Sequence, residues 1–332
     1  LKQHNRRSFL KIAGASLGVG VLYSAYPAAA HSSGGAELFS ALGHANGEKI
    51  APFSFVQLSD AHVGFNGPPD PLGTKAFERA VEMINGLPQR PDLVLFTGDL
   101  THDTEDRDVH VQRMKQFQEI SKRINVPVIK CVPGEHDAGL DSGALYREFF
   151  GESHYSFDHR GVHFVALDNV SRAKPEIGAE QLAWLKKDLA RFPKTAPIVV
   201  FTHRPLFDLR PDWEWFTSDG DDVMNVLSAY DNVTVLYGHI HRDDEHESAN
   251  VRHYAARSLI FAFPDPAGVA GPRKPVPFDE VHPFKNLGIR NVRFNGKPQP
   301  GARSISVEDI ELTAREFRGI NGIQQLLREP LV

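Results

Sequence analysis

Asp92-Leu93-Val94-Leu95-Phe96-Thr97-Gly98-Asp99-Leu100-Thr101 follows Pro91 as a short apolar run closed by a glycine and a carboxylate. An unalternating run of this length reads as a strand buried on both faces, with its polar residues just past its carboxyl end. The same arrangement recurs on either side. Residues 52–59 alternate and stop at Asp60-Ala61-His62, and the strand expected over 127–132 stops before Gly134-Glu135-His136-Asp137. Between them, Phe77, Ala80, Val81 and Ile84 form a helical stripe within 76–87, and Val111, Met114, Phe117 and Ile120 form another. Strand, helix, strand, helix, strand predicts a parallel sheet covered by helices, and such sheets bind ligands at the carboxyl ends of their strands.

The second half predicts a second sheet. Residues 155–158 and 162–168, joined by Arg160-Gly161, read as a hairpin, and 179–192 reads as a helix carrying Leu182, Leu185 and Leu189. Strands over 197–201 and 232–237 end at Thr202-His203 and at Gly238-His239-Ile240-His241. A helix is expected over 223–230, late strands over 289–294 and 305–312, and a short terminal helix over 320–327. Two loops should lie near the ligand-bearing edge: 211–216, with Trp213, Trp215 and Phe216, and the proline-rich 263–284. The aromatics of the first read either as ordinary loop packing or as a lid stacking on a nucleobase or aromatic leaving group.

Composition narrows the chemistry. At 332 residues and 41% hydrophobic content the chain can bury a sizeable core, and the unbroken series of elements favours one large domain over two. The single cysteine, Cys131, excludes an internal disulfide or a cysteine-rich zinc site, and its apolar surroundings suggest a buried structural thiol. Carboxylates and imidazoles at five strand ends are instead ligands suited to zinc, iron or manganese. Two such ions about 3.5–4 Å apart can neutralise negative charge on a bound group and generate hydroxide at neutral pH.

The five segments, in this order, resemble the calcineurin-like metallophosphoesterase superfamily, whose pattern is D-x-H, G-D, G-N-H-[DE], H and G-H-x-H. Gln57-Leu58-Ser59-Asp60, Tyr155-Ser156-Phe157-Asp158 and Phe164-Val165-Ala166-Leu167-Asp168 extend the likeness to about residue 260. The surroundings of Gly98-Asp99-Leu100-Thr101 look most like class III cyclic nucleotide phosphodiesterases. The resemblance implies an α/β fold, a four-layer α/β/β/α sandwich of two mixed β-sheets flanked by helices. It also implies two divalent or mixed-valence metal ions (Fe, Mn or Zn), with Asp60, His62 and His241 on the first, His203 and His239 on the second, and Asp99 bridging. His136 would protonate the leaving oxygen or bind the phosphoryl group, with Asp137 fixing its tautomer and raising its pKa.

Glu135 departs from the family asparagine, and three readings stay open. It ligates the second metal in place of the amide oxygen, it leaves one metal labile, or it marks a protein that binds metal without turnover. The expected function is thus an exported dimetal phosphoesterase acting on a small phosphoester, most readily a diester. The alternative is a non-catalytic metal-dependent binding or sensing protein of the same fold. Of the eleven histidines outside the motifs, His102 is a candidate for the layer around the metals, and His163 for a satisfied core residue.

The N-terminal segment reads separately. Asn5-Arg6-Arg7-Ser8-Phe9-Leu10-Lys11, a mild apolar stretch over 12–26 and Ala28-Ala29-Ala30 before His31 look like a twin-arginine signal peptide over 1–30. The other reading, a membrane anchor, meets a run shorter than the ~20 residues a span needs, interrupted by Gly14, Gly18 and Gly20. A spacer over 31–49 and a metallophosphoesterase domain over 50–332 follow. Export would be through the twin-arginine machinery to the periplasm or the exterior, with no stable membrane span in the mature protein. Loss of Lys2, Arg6, Arg7 and Lys11 leaves 33 basic residues against 42 acidic ones, which argues against bulk nucleic acid as a partner.

Overall fold

The computed structural model describes residues 51–296 and 304–313. The expected signal peptide, the spacer and the helix over 320–327 lie outside the described residues.

In β1 (Phe53–Leu58) every residue is buried because both faces of the strand are covered. Alternation sends Phe53 and Phe55 to one side and Val56 and Leu58 to the other. On the Val56 side lie α1 (Lys75–Asn85) and α2 (Arg107–Ser121), contributing Phe77, Ala80, Ile84, Phe117 and Ile120. Asp106 caps α2 by accepting from the Asp108 and Val109 amides, which fixes where that helix starts. β2 (Leu93–Thr97) and β3 (Ile129–Val132) run parallel to β1, as their connecting helices require.

The chain then makes two short helices, α3 (Glu135–Ala138) and α4 (Ala144–Phe150), before the hairpin β4 (Tyr155–His159) and β5 (Val162–Ala166). Next come α5 (Gly178–Leu189), β6 (Ile198–Phe201), α6 (Gly220–Leu227) and β7 (Val233–Tyr237). A hairpin of β8 (Asp244–Ser248) and β9 (Val251–Ala255) follows, then β10 (Gly288–Phe294) and β11 (Ile305–Glu311).

One sheet has the order β11-β10-β1-β2-β3 and the other β4-β5-β6-β7-β9-β8; each mixes parallel and antiparallel neighbours. Phe53, Phe55, Leu93 and Leu95 from the first meet Phe164, Val199, Phe201 and Leu236 from the second, forming the middle of the sandwich. The outer face of the second sheet is covered by Leu185 and Leu189 of α5 and Val223 and Leu227 of α6. The architecture is therefore the four-layer α/β/β/α sandwich. The parallel strands β1, β2, β6 and β7 all finish at the same edge, where the site is built.

Candidate metal centre

The turns leaving β1, β2 and β7 bend sharply. Asp60, His62, Asp99, His239 and His241 have φ of 55°, 40°, 49°, 66° and 52°, a left-handed region that costs a non-glycine residue of order 1–3 kcal/mol. Such strain persists only where the surroundings impose it. Here close approach imposes it: a Cβ on Gly238 would stand 1.9 Å from Ser59 Oγ, and one on Gly134 would stand 2.0 Å from Asp99 Oδ1. The two glycines let the ends of β7 and β3 come against the ligand turns of β1 and β2.

Four ligand-type side chains thereby converge in one group, Asp60, His62, Asp99 and His241, and three in another, Glu135, His203 and His239. Asp99 Oδ2 lies 3.3 Å from His62 Nε2 and 3.4 Å from His203 Nε2, between the two groups. His241 Nε2 is 3.3 Å from Asp60 Oδ1. Glu135 reaches His203 Nε2 at 2.9 Å and His239 Nδ1 at 2.8 Å.

The outward nitrogens show what these contacts mean. His203 Nδ1 donates to the Thr97 carbonyl at 2.7 Å, His241 Nδ1 to the Phe261 carbonyl at 2.8 Å, and His239 Nε2 to the Glu214 carbonyl at 3.1 Å. A carbonyl only accepts, so in each neutral ring the inward nitrogen carries a lone pair, and that lone pair faces a carboxylate. Acceptors facing acceptors require positive charge between them, a proton or a metal cation. Glu135 Oε2 and His203 Nε2, buried 2.9 Å from each other, have no further hydrogen-bond partner. Burial works against a charged His203, yet Asp99 and Glu135 hold its pKa well above the usual value. Burial would raise the Glu135 carboxyl, but His239, His203 and Arg204 hold it well below the carboxylate range. His239, desolvated, is pushed down to about 4. This donor set of imidazole and carboxylate fits a pair of cations of the zinc, iron or manganese kind.

His136 stands at the rim, its backbone amide donating to Asp99 Oδ1 at 3.0 Å and its ring stacked on His102 at 4.6 Å. The expected pairing with Asp137 is not what the structure contains. The buried Asp137 carboxylate accepts from the amides of Leu100, Thr101 and Gly134 and from Thr101 Oγ1, tying the β2 turn to the β3 turn. Asp103 replaces it: His136 Nδ1 bonds Asp103 Oδ1. Burial opposes a charged His136, but Asp99, Asp103 and Glu135 raise its pKa to about 9, while the His136 hydrogen bond draws Asp103 down to about 2.

His102 Nδ1 sits 3.3 Å from His62 Nδ1, beside a candidate ligand as expected. His163 is a core residue satisfied by Asp158 and Asp188, each at 2.7 Å. Cys131 is a buried free thiol. Trp213 and Trp215 are not a lid; both are buried with Tyr237, Ile240 and Phe263, and their loop serves the site through the Glu214 carbonyl. Sequence reasoning passed over Asp103, Arg204 and Arg273. Asp103 lies four residues beyond Asp99 and Arg204 adjoins His203, so proximity to the motifs was the available signal; Arg273 carried none.

The sequence profile of the family described as Calcineurin-like phosphoesterase matches residues 53–243, and the chain belongs to that family of metal-dependent phosphoester hydrolases. It is 28% identical over 201 residues to a probable glycerophosphodiester phosphodiesterase of Arcobacter nitrofigilis, covering 56% of this chain and 71% of that protein. It is 23% identical over 226 residues to a 3',5'-cyclic-nucleotide phosphodiesterase of a Nostoc species, covering 65% and 81%. Among solved structures, a dimetal phosphatase from Danio rerio superposes with a TM-score of 0.54 at 15% identity, covering 80% of this chain and all of that one, which supports the fold.

Proposed function

We propose that this member of the calcineurin-like phosphoesterases is a dimetal phosphodiesterase that acts outside the cytoplasm on a small phosphoester. The observation that carries the reading is Asp99 Oδ2, placed 3.3 and 3.4 Å from imidazole nitrogens of two adjoining ligand groups. Asp60, His62 and His241 would hold one ion, Glu135, His203 and His239 the other, and Asp99 both. Bound there, iron, manganese or zinc ions would neutralise phosphoryl charge and lower the pKa of water. His136, held through Nδ1 by Asp103 at the rim of the centre, is placed to donate a proton to the leaving oxygen. Asp137 keeps the Asp99 and Gly134 turns in register. Diesters are favoured because the two relatives described above are named as diesterases. The Arg6-Arg7 pair and Ala28-Ala29-Ala30 support a signal peptide over 1–30, a spacer over 31–49 and a single enzyme domain from residue 50 onward.

The test is hydrolysis of an activated aryl phosphodiester by metal-loaded protein, with loss on chelation, set beside Asp99→Ala. The variant should retain less than one hundredth of the activity and less metal, because removing the shared carboxylate exposes both cations to mutual repulsion. Metal binding without hydrolysis of monoesters, diesters or cyclic nucleotides would instead favour the non-catalytic alternative. An active Asp99→Ala protein with two ions bound sinks the dimetal assignment.

A further inference from the structure

Two guanidinium groups stand beside the metal centre. The buried Arg204 is committed: Nη1 donates to the Glu214 carbonyl at 2.8 Å, and Nη2 lies 3.4 Å from Glu135 Oε1. Its charge offsets that of the glutamate. Arg273 is different. It belongs to the proline-rich 263–284 segment, and its guanidinium lies 4.7 Å from the centroid of Phe263. Phe263 packs in turn on the ring of His241 at 5.0 Å, so Arg273 is one aromatic ring away from a candidate metal ligand. Among the described residues it forms no ion pair and no hydrogen bond.

Burial disfavours the charge on Arg273, Glu135, Glu214 and Asp99 favour it, and Arg204 opposes it. The guanidinium thus stands one ring away from His241 without being paired to a carboxylate of the centre. Arg273 is only partly buried, so its donors stay accessible to solvent and to an anion that enters. An aromatic face holds such a cation in place without consuming its donors. A planar fork also matches phosphate geometry better than an ammonium does.

We propose that Arg273 is the anion-binding residue of this edge, donating to an anionic oxygen of the phosphoester and of the phosphate group released from it. The proposal rests on the phosphoesterase reading above. It assigns the 263–284 segment a role in substrate binding.

Inorganic phosphate is the probe. It is titrated calorimetrically into metal-loaded wild type, Arg273→Lys and Arg273→Gln, with elemental analysis of each protein and aryl diester hydrolysis in parallel. Arg273→Gln should bind phosphate about ten-fold more weakly or worse, a loss in the range of a charge-assisted hydrogen bond, with KM rising and kcat less affected. Arg273→Lys should recover part of the affinity, and metal content should be the same in all three. Unchanged phosphate affinity in Arg273→Gln overturns the proposal, as does a loss of metal that accounts for the loss of phosphate. Phosphate binding needs no turnover, so the two readings fail separately. Arg273-dependent binding without hydrolysis defeats the enzyme reading alone, and hydrolysis with unaltered phosphate affinity in the variant defeats this one alone.

Discussion

Glu135 contributes two anionic oxygens where the family pattern has a neutral amide, and each oxygen lies within 2.9 Å of an inward imidazole nitrogen. An anionic oxygen holds a cation more tightly than an amide oxygen does, and Arg204 at 3.4 Å offsets part of the added charge. If Glu135 is a ligand, Glu135→Asn should weaken retention of one ion by about ten-fold and change which metal gives best activity, with the fold intact. Metal analysis and a metal-dependence profile of both proteins decide it. Identical content and preference would mean that Glu135 holds no ion. At this scale the sequence was informative wherever a ligand sits in a motif, since a strand end fixes position within a residue or two. It was uninformative about partners. Asp137 looked adjacent to His136 in sequence, but a one-turn helix points consecutive side chains apart, leaving Asp137 against backbone amides and His136 against Asp103.

Elements are tied to one another by polar groups as well as by apolar faces, and His163 is the clearest case. From β5 it bonds Asp158 of β4 through Nδ1 and Asp188 of α5 through Nε2, while Asp188 also binds Arg191 and Ser156. Burial lowers the His163 pKa, but its two carboxylates raise it above the usual value overall; Asp188 is correspondingly lowered. A raised histidine stabilises fully below its unfolded value of about 6.5 and loses that contribution as pH climbs through the folded value. A lowered carboxylate stabilises above about 4 and loses it as pH falls. The tie is thus strongest between about pH 4 and 6.5. Denaturant titrations should show wild-type stability declining above that window, with His163 adding up to about 1.4 kcal/mol per pH unit to the slope, an increment lost in His163→Phe. Equal slopes in the two proteins would show that His163 is neutral in the fold. Periodicity identified the long helices and buried strands to within a few residues, because their core faces are uniformly apolar. β8 and β9 escaped it: Asp244-Glu245-His246-Glu247-Ser248 is a polar edge strand with no buried face to write a pattern. α3 and α4 escaped as well, being too short for a 3.6-residue period to repeat.

Across the whole molecule the centre is assembled from residues far apart in the chain. The His239 amide meets the Asp60 carboxylate across 179 positions, both sheets contribute ligands, and strained turns hold them. No fragment of the chain offers both ligand groups, so metal binding presupposes a folded domain. That requirement bears on export. A route threading unfolded chain would leave metal to be found after translocation, whereas the twin-arginine route, which carries folded proteins, lets the ions be loaded first. Asn5-Arg6-Arg7-Ser8-Phe9-Leu10-Lys11 is the sequence such a route would read. Replacing both arginines, Arg6→Lys with Arg7→Lys, keeps the positive charge and removes only the arginine pair. It should leave unprocessed, metal-loaded protein in the cytoplasm, seen on fractionation as a band larger by the signal segment. Mature protein outside the cytoplasm despite the double substitution would refute the twin-arginine reading. Unprocessed protein recovered without metal would separate loading from the cytoplasm and remove the physical reason for choosing that route.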